Sequence, residues 1–280
     1  MNLFKLTLQS AGKRPVVIIL PALLALVLSA INLYNPVLPV VLGVSSATGG
    51  SFFDGMISAL QLLMDPAIIP VIAIFLAGVV VVVSLLAGIL LSGYFHIVGN
   101  TLAGVEKTKS DFAAGMKKYL WKIFFVTLRA VLILGMIILI MIISAVPAII
   151  ISRAAATTRP ELMLAAVFLD ILTAGVVFFG LMFSQVYLFY WYPAVIKDIR
   201  KPFRSAKRLV DSNFWQIVAR FILFDAAFVV FAYLVIITPS AILKLLLGWI
   251  FATAFIVLLV IYIFHSFGKI MISNAQDDRP

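Results

Sequence analysis

Long apolar runs divide the chain into six segments, near residues 15–36, 67–95, 121–147, 162–190, 215–238 and 247–268. Each run is long enough to cross a hydrocarbon core of ~30 Å, which takes about 20 helical residues. Lipid offers no hydrogen-bond partner to the backbone, so isolated runs of this length predict helices even where β-branched residues dominate. No run alternates in polarity as a β-barrel strand would. The pattern predicts an all-α integral membrane protein with six transmembrane helices.

The inner ends of the even-numbered segments are similar to one another. Aligned without gaps, residues 94–104, 188–198 and 263–273 each contain Phe, then His or Tyr, then Gly or Pro three residues further on. The odd-numbered segments each follow a Phe near a basic stretch. We therefore predict three pseudo-repeated hairpins, 1–106, 107–201 and 202–280, each preceded by a short cytoplasmic amphipathic segment. Convergent selection for aromatic and basic helix ends is the alternative explanation.

Composition supports the membrane interpretation. The chain is 64% hydrophobic and 11% charged, with a mean hydropathy of +1.21, whereas a soluble domain is about 45–50% apolar and roughly 25% charged. We expect a single membrane domain, 1–280, without a soluble domain. The first segment also has the layout of a signal peptide ending at Ala30, but Leu28 fits the cleavage pattern poorly, so we predict a retained helix.

Basic residues are distributed unequally between the two sides of the predicted membrane. Of the 21 Lys and Arg residues, all but Arg153, Arg159 and Lys244 fall in the N-terminal stretch, the second-to-third and fourth-to-fifth connections with adjoining helix ends, or the tail. The positive-inside rule then predicts a multi-pass protein of the cell (inner or plasma) membrane with both termini cytoplasmic. An anionic inner leaflet selects the same distribution, so we expect membrane phospholipid and no nucleic acid as a partner.

The predicted cytoplasmic helix ends combine cations with aromatic side chains. Phe203, Ala206, Leu209 and Val210 share one helical face, which predicts an amphipathic helix with this face in the headgroup boundary. Contact with anionic lipid is expected from Lys117, Lys118, Lys197, Arg200, Lys201, Arg204, Lys207 and Arg208. Anchoring at the membrane interface is expected from Trp121, Tyr190, Trp191, Tyr192 and Trp215.

Four polar residues within the predicted spans are candidates for function: Arg129, Asp170, Gln185 and Asp225. Arg129 and Asp225 have opposite charges and lie at similar depths, roughly 12 Å for Arg129 at ~1.5 Å per residue, which predicts that they pair. The functional interpretation is a polar pathway or a proton-coupled carboxylate. The structural interpretation is a buried ion pair that keeps the third and fifth helices in register.

Motifs for enzymatic chemistry are absent from the sequence. There is no cysteine and no HExxH, GxxxxGK[ST] or GxSxG motif. His96 and His265 have no second ligand nearby on their own helices, so we expect them to be interface residues, with no metal, cofactor or enzymatic activity. Small residues at four-residue spacing predict close helix packing within the chain or, alternatively, a homo-oligomer interface; they are Ser84, Gly88, Ser92, Gly180 and Ser184.

A short amphipathic element that begins at Phe203 ends in Ser212-Asn213-Phe214-Trp215, directly before a span. With six helices and cytoplasmic termini, this layout resembles a loose group of uncharacterised prokaryotic membrane proteins. The group includes the membrane domain fused to some glycerophosphodiester phosphodiesterases. The resemblance implies an architecture and no catalytic residues, and the phosphodiesterase domain itself is absent from this chain.

Two functional hypotheses follow. The first is a transport or permeation component for a small molecule, a peptide or lipid, because transporter sites often lie between repeats. The alternative is a non-transporting scaffold or accessory protein that binds anionic lipid or a partner protein, which low intramembrane polarity favours. A homo-oligomer or a membrane partner protein is compatible with both.

Overall fold

The computed structural model of this chain describes residues 3–33, 65–157, 159–199 and 201–277. These residues are predominantly helical and contain no strand. A 3-10 turn, Pro160–Leu162, precedes the fifth helix, and a π-helical segment, Ser184–Leu188, follows it. The helices are α1 (Leu3–Lys13), α2 (Val16–Leu33), α3 (Ile69–Leu102), α4 (Asp111–Thr157), α5 (Met163–Phe183), α6 (Trp191–Ile196), α7 (Pro202–Ser212), α8 (Phe214–Ile237) and α9 (Ala241–Asp277).

Among the described residues, five helical stretches are long and apolar enough to cross a membrane. They are Ile69–Leu102, Asp111–Ala156, Pro160–Ile196, Phe214–Ile237 and Ala241–Met271. The first predicted span coincides with α2, whose apolar part, Val16–Ile31, is shorter than these five. The prediction of an all-α, multi-pass membrane protein is confirmed at this level. The sixth span and the threefold repeat stay predictions.

The spans turn most of their apolar side chains outward. In their most apolar windows only 6% to 22% of residues are buried, and side chains such as Ile74 and Leu164 are largely exposed. Apolar surface of this extent would cause aggregation in water and is matched to hydrocarbon. The surrounding solvent of these helices is therefore lipid.

One compact unit comprises Met1–Tyr34, Ser84–Arg129 and Gln185–Pro280. Its hydrophobic core joins residues of α2, α3, α4, α6 and α9. At the centre, the ring of Phe95 lies 5.3 Å from that of Phe264 and 5.2 Å from that of Tyr192, centroid to centroid. Phe95 and Phe264 occupy equivalent positions in the sequence alignment, and both are buried. These two phenylalanines, which recur at equivalent positions within the chain, thus pack in the same core.

Glycines bring α3 and α4 close together in this unit. A Cβ atom on Gly93 would lie 2.6 Å from the ring of Phe112, and one on Gly115 would lie 2.5 Å from the Cβ of His96. A Cβ on Gly88 would lie 3.2 Å from that of Phe124. The small-residue stripe predicted on the second segment therefore packs against the next helix of the same chain.

The second compact unit comprises Asn35–Val83 and Ala130–Ser184. Here Gly180 faces Ile137 and Met141. A Cβ atom placed on Gly180 would lie 3.0 Å from the Cγ2 of Ile137. The hydroxyl of Thr173 donates a hydrogen bond of 3.1 Å to the carbonyl of Ser144. Small residues again permit close helix packing, and a side-chain hydroxyl adds a polar contact between α4 and α5.

Helices α3 and α6 end in the same backbone motif. Gly104 and Asp198 follow these helices with left-handed φ angles of 72° and 52°. After α3, the N–H of Val105 donates to the carbonyl of Asn100, and the N–H of Gly104 donates to that of Thr101. After α6, the N–H groups of Ile199 and Asp198 donate in the same pattern, to the carbonyls of Ala194 and Val195. This is a Schellman cap. The two caps fall at equivalent positions of the predicted repeat, whereas α9 continues past its equivalent, residue 273, to Asp277.

Candidate functional site

The carboxylate of Asp198 gathers three donors from α4. The hydroxyl of Tyr119 donates at 2.9 Å, and the ammonium groups of Lys118 and Lys122 lie at 2.6 Å and 2.7 Å. Both lysine side chains are more than half exposed, so each ion pair alone contributes little. Tyr119 is buried, and its hydroxyl fixes the carboxylate in place. The sequence interpretation overlooked Asp198, although an acidic residue inside a cationic stretch was a usable signal.

Two groups after α6 have shifted pKa values. Burial tends to raise the pKa of Asp198, but the hydrogen bonds from Lys118, Lys122 and Tyr119 outweigh it and lower this pKa to about 2. Partial burial lowers the pKa of Lys197, whose ammonium lies 5.3 Å from the ring centroid of Phe267. The carboxylate of Asp198 is therefore ionised at neutral pH and attracts the ammonium groups of Lys118 and Lys122.

Arg14 is a buried cation that the sequence interpretation assigned only to the cytoplasmic charge excess. Its side chain is 4% exposed and forms an ion pair of 2.5 Å with Asp111 at the start of α4. It also donates to the carbonyls of Val105 and Glu106, at 2.8 Å and 3.0 Å. The hydroxyl of Thr108 donates to the same carboxylate. These bonds compensate the burial of the guanidinium and hold the connection between α3 and α4.

The apolar face of α7 does not lie in the headgroup boundary, contrary to the prediction. Ala206, Leu209 and Val210 are buried within the protein. Phe203 packs edge-on against Trp191, with 4.7 Å between ring centroids. An amphipathic pattern requires an apolar partner, and here protein supplies it in place of lipid.

The predicted lipid-contacting cations fall into three groups. Lys118 is engaged by Asp198, Lys197 lies over the ring of Phe267, and Arg200 lies outside the described residues. The rest are exposed and form no ion pair with any described residue; they are Lys117, Lys201, Arg204, Lys207 and Arg208.

The predicted interfacial aromatics also divide. Trp121 and Trp215 are 64% and 77% exposed, as an interfacial side chain requires. Tyr190 packs inside the protein, so the prediction that it is an interfacial anchor is corrected, whereas Trp191 and Tyr192 are half-buried and contact other side chains, and their role as anchors stays a prediction. Tyr190 is fully buried and its hydroxyl lies 2.8 Å from that of Ser266; Trp191 packs against Phe203; the hydroxyl of Tyr192 lies 3.3 Å from that of Thr127.

The predicted pair of Arg129 and Asp225 does not form. The guanidinium of Arg129 lies over the ring of Phe203, 5.0 Å from its centroid. Asp225 instead accepts a hydrogen bond of 3.1 Å from the side-chain amide of Gln185. Similar depth did not imply proximity, because the flexible arginine reaches toward the helix end, where an aromatic face receives its charge.

Gln185 lies in the π-helical segment Ser184–Leu188. Such single-turn π segments are frequent at functional sites. The carbonyl oxygen of the Gln185 side chain is buried and has no hydrogen-bond partner among the described residues. In the second unit, Asp170 accepts a hydrogen bond from Ser152, with both carboxylate oxygens at 3.2 Å from the hydroxyl. Asp225 and Asp170 are thus each bound by a neutral donor.

A cavity of about 480 Å³ lies between α8 and α9. Its walls carry Arg220, Lys269 and His265 at one end, and apolar side chains including Leu223 and Ala227. The second histidine, His96, lies elsewhere and is 3.2 Å from the side-chain amide of Asn100. Among the described residues, no three His, Asp or Glu side chains are grouped as a metal site would need.

Comparison with known proteins gives no match: no protein-family model, no curated protein and no solved structure is similar to this chain. The contacts described above are therefore the basis for assigning a function.

Proposed function

We propose that this multi-pass membrane protein is a non-transporting scaffold or accessory protein that binds the anionic surface of the cytoplasmic leaflet. The observation that carries the proposal is the fixed cationic face of α7. Arg204, Lys207 and Arg208 project outward, while the opposite face of the helix packs against protein. Because protein contacts hold α7, these charges are available to groups outside the chain.

The charge distribution supports a lipid surface as the target of this face. The acidic residue on α7, Asp211, accepts a hydrogen bond of 2.8 Å from the hydroxyl of Tyr187. The three cations form no ion pair with any residue in the described ranges. Each cation near an anionic leaflet contributes about 1 kcal/mol. Their combined contribution favours anionic over neutral lipid.

The test is lipid selectivity in reconstituted membranes. The full chain is reconstituted with spin-labelled phosphatidylglycerol or phosphatidylcholine, and the motionally restricted fraction of each lipid is measured. We expect wild type to prefer phosphatidylglycerol, and the triple variant R204Q/K207Q/R208Q to lose most of this preference. The matched control, R153Q/R159Q/K244Q, removes the same charge and should keep it. Equal restriction of both lipids by wild type would overturn the proposal.

A transport or permeation role is the second candidate, and the pair of Gln185 and Asp225 favours it. Carboxylates inside spans occur in proton relays, and π-helical turns are frequent at functional sites; Asp225 and Gln185 combine the two features. Its test is proton flux into pyranine-loaded proteoliposomes under a pH gradient. Asp225→Asn should abolish flux at an unchanged unfolding temperature; wild-type flux equal to that of protein-free vesicles would contradict transport of protons.

The resemblance to uncharacterised six-helix prokaryotic membrane proteins is likewise a proposal about architecture. It is compatible with either role, because that group implies no activity of its own.

A further inference from the structure

We propose that the groove between α8 and α9 binds one anionic phospholipid, with its phosphate on Arg220 and Lys269 and an acyl chain along the apolar wall. This extends the proposed surface binding to a single discrete site. It rests on residues other than the α7 cations, so either proposal can fail while the other stands.

Two stripes of side chains, one on α8 and one on α9, form most of the groove, and Leu6 of α1 completes its lining. On α8, Arg220, Leu223 and Ala227 follow one another at the spacing of a single helical face, and all three line the cavity. Their sequence along the helix is a cation followed by apolar side chains. Arg220 lies about 9 Å from the start of α8, and Ala227 about 10 Å deeper, at ~1.5 Å per residue. The stripe therefore becomes apolar with depth.

The stripe on α9 also has its cation at the mouth, and a histidine and a tyrosine follow it toward the N-terminus of the helix. Lys269, His265 and Tyr262 lie on one face and line the same cavity. Since α8 begins and α9 ends at this end of the helices, Arg220 and Lys269 meet at the mouth. A ligand that fits both stripes carries negative charge at one end and hydrocarbon at the other.

A smaller cavity of about 170 Å³ continues the groove beyond this mouth. It shares Arg220, Tyr262, Ser266 and Lys269 with the larger cavity. Its additional polar side chains are those of Asn213 and Gln216, which can hydrogen-bond a headgroup. Within the described part of the chain, no acidic side chain lines either cavity. The volume of the main cavity lies within the ~300–1,000 Å³ of ligand sites.

The ring of Tyr262 positions a cation at the mouth of the groove. Tyr262 is 5% exposed, and the guanidinium of Arg220 lies over its ring, 5.7 Å from the centroid. A cation over an aromatic face is attracted by the ring. This contact holds Arg220 where its charge is available to a lipid phosphate.

The apolar wall distinguishes a phospholipid from a free anion. Leu223 is 69% exposed within a segment that spans the membrane, so the deeper groove opens to hydrocarbon. A soluble phosphate would contact the cations and leave this wall uncovered. An acyl chain would cover this wall with hydrocarbon, as apolar side chains favour.

The experiment is native mass spectrometry of the full chain in detergent, titrated separately with phosphatidylglycerol, phosphatidylcholine and inorganic phosphate. We expect phosphatidylglycerol to bind first, with one tight equivalent. R220Q/K269Q should weaken this equivalent by about tenfold or more, since two charge-assisted contacts are lost. The control K107Q/K109Q removes the same charge from the exposed connection between α3 and α4 and should leave that first equivalent unchanged.

A second variant tests the apolar wall and keeps both cations. Ala227→Phe fills the deeper groove, and we expect it to weaken phosphatidylglycerol binding at an unchanged unfolding temperature. The proposal is overturned by equal binding of the two phospholipids, by wild-type affinity in both R220Q/K269Q and Ala227→Phe, or by inorganic phosphate competing fully with the lipid. Should R220Q/K269Q fail to fold, Ala227→Phe alone decides.

Discussion

The hydroxyl of Tyr119 donates a hydrogen bond of 2.9 Å to Asp198, a residue whose own backbone is left-handed with a φ of 52°. That conformation costs an L-residue roughly 1–2 kcal/mol, although aspartate tolerates it better than most. The equivalent cap of α3 uses glycine and avoids the cost. At Asp198 the side chain offsets its backbone strain by joining the end of α6 to α4.

The first prediction separates backbone strain at Asp198 from side-chain bonding. Asp198→Ala keeps the strained φ and leaves the buried Tyr119 hydroxyl without its acceptor, so we expect a loss of about 2 kcal/mol. Asp198→Gly should recover roughly 1 kcal/mol of this by relieving the strain. Asp198→Asn keeps an acceptor and should be the mildest. Unfolding in detergent with increasing denaturant measures all three; equal stability of the Ala and Gly variants would contradict the strain.

The second prediction concerns pH. The folded pKa of Asp198 is about 2, below the value near 3.9 of an unfolded aspartate. Its contribution is therefore complete above pH ~4 and is lost as pH falls toward 2. The stability difference between wild type and Asp198→Asn should shrink over that range, and only modestly, because the partly exposed cluster is screened by solvent. Unfolding midpoints at pH 6 and pH 2.5 test this; an unchanged difference would refute it.

The third prediction concerns the buried arginine after α1. Arg14→Gln leaves Asp111 buried beside unpaired carbonyl groups, so we expect a loss of roughly 3–5 kcal/mol. The neighbouring exposed residue provides the control, Lys13→Gln, with little effect. The double variant R14M/D111L should be more stable than R14Q, since neither charge is then left alone. Denaturant unfolding of the four proteins tests the ordering, and an R14Q as stable as Lys13→Gln would contradict it.

The fourth prediction concerns close packing of α3 and α4. Gly115→Ala places a Cβ 2.5 Å from that of His96, so we expect an overpacking loss of about 1–3 kcal/mol. Gly135→Ala, on the same helix, adds its Cβ where no atom of the described residues beyond the adjacent helix backbone lies within 4 Å, and it should be neutral or slightly stabilising. Thermal unfolding compares the two. A stabilising Gly115→Ala would show that the helices separate easily.

The apolar runs predicted the helices well because backbone satisfaction in lipid leaves few alternatives. They did not predict what covers each face. The pattern on α7 placed Ala206 and Val210 together correctly, but periodicity does not distinguish a lipid partner from a protein partner. Only the tertiary structure shows that Trp191 and its neighbours supply the apolar surface.

Counting residues predicts depth along a helix but not direction around it. Counting residues gives a height along the helix axis at ~1.5 Å each, which placed Arg129 and Asp225 near one level. Contact also requires the two helices to turn those residues toward each other. The π-helical segment and the reach of Arg129 determine that, and neither follows from hydropathy. For the same reason the pairing of Arg14 with Asp111, 97 residues apart, left no local signal.

The contrasting surroundings of the four tryptophans give the protein a built-in optical reporter. Trp121 and Trp215 project outward, whereas Trp191 packs against a phenylalanine and the indole N–H of Trp249 donates to the carbonyl of Ala22 at 2.7 Å. Bromine atoms on lipid chains or near the headgroup should therefore quench the emission of the first two preferentially. Fluorescence from Trp121 and Trp215, read without any label, would then locate both helix ends relative to the bilayer surface.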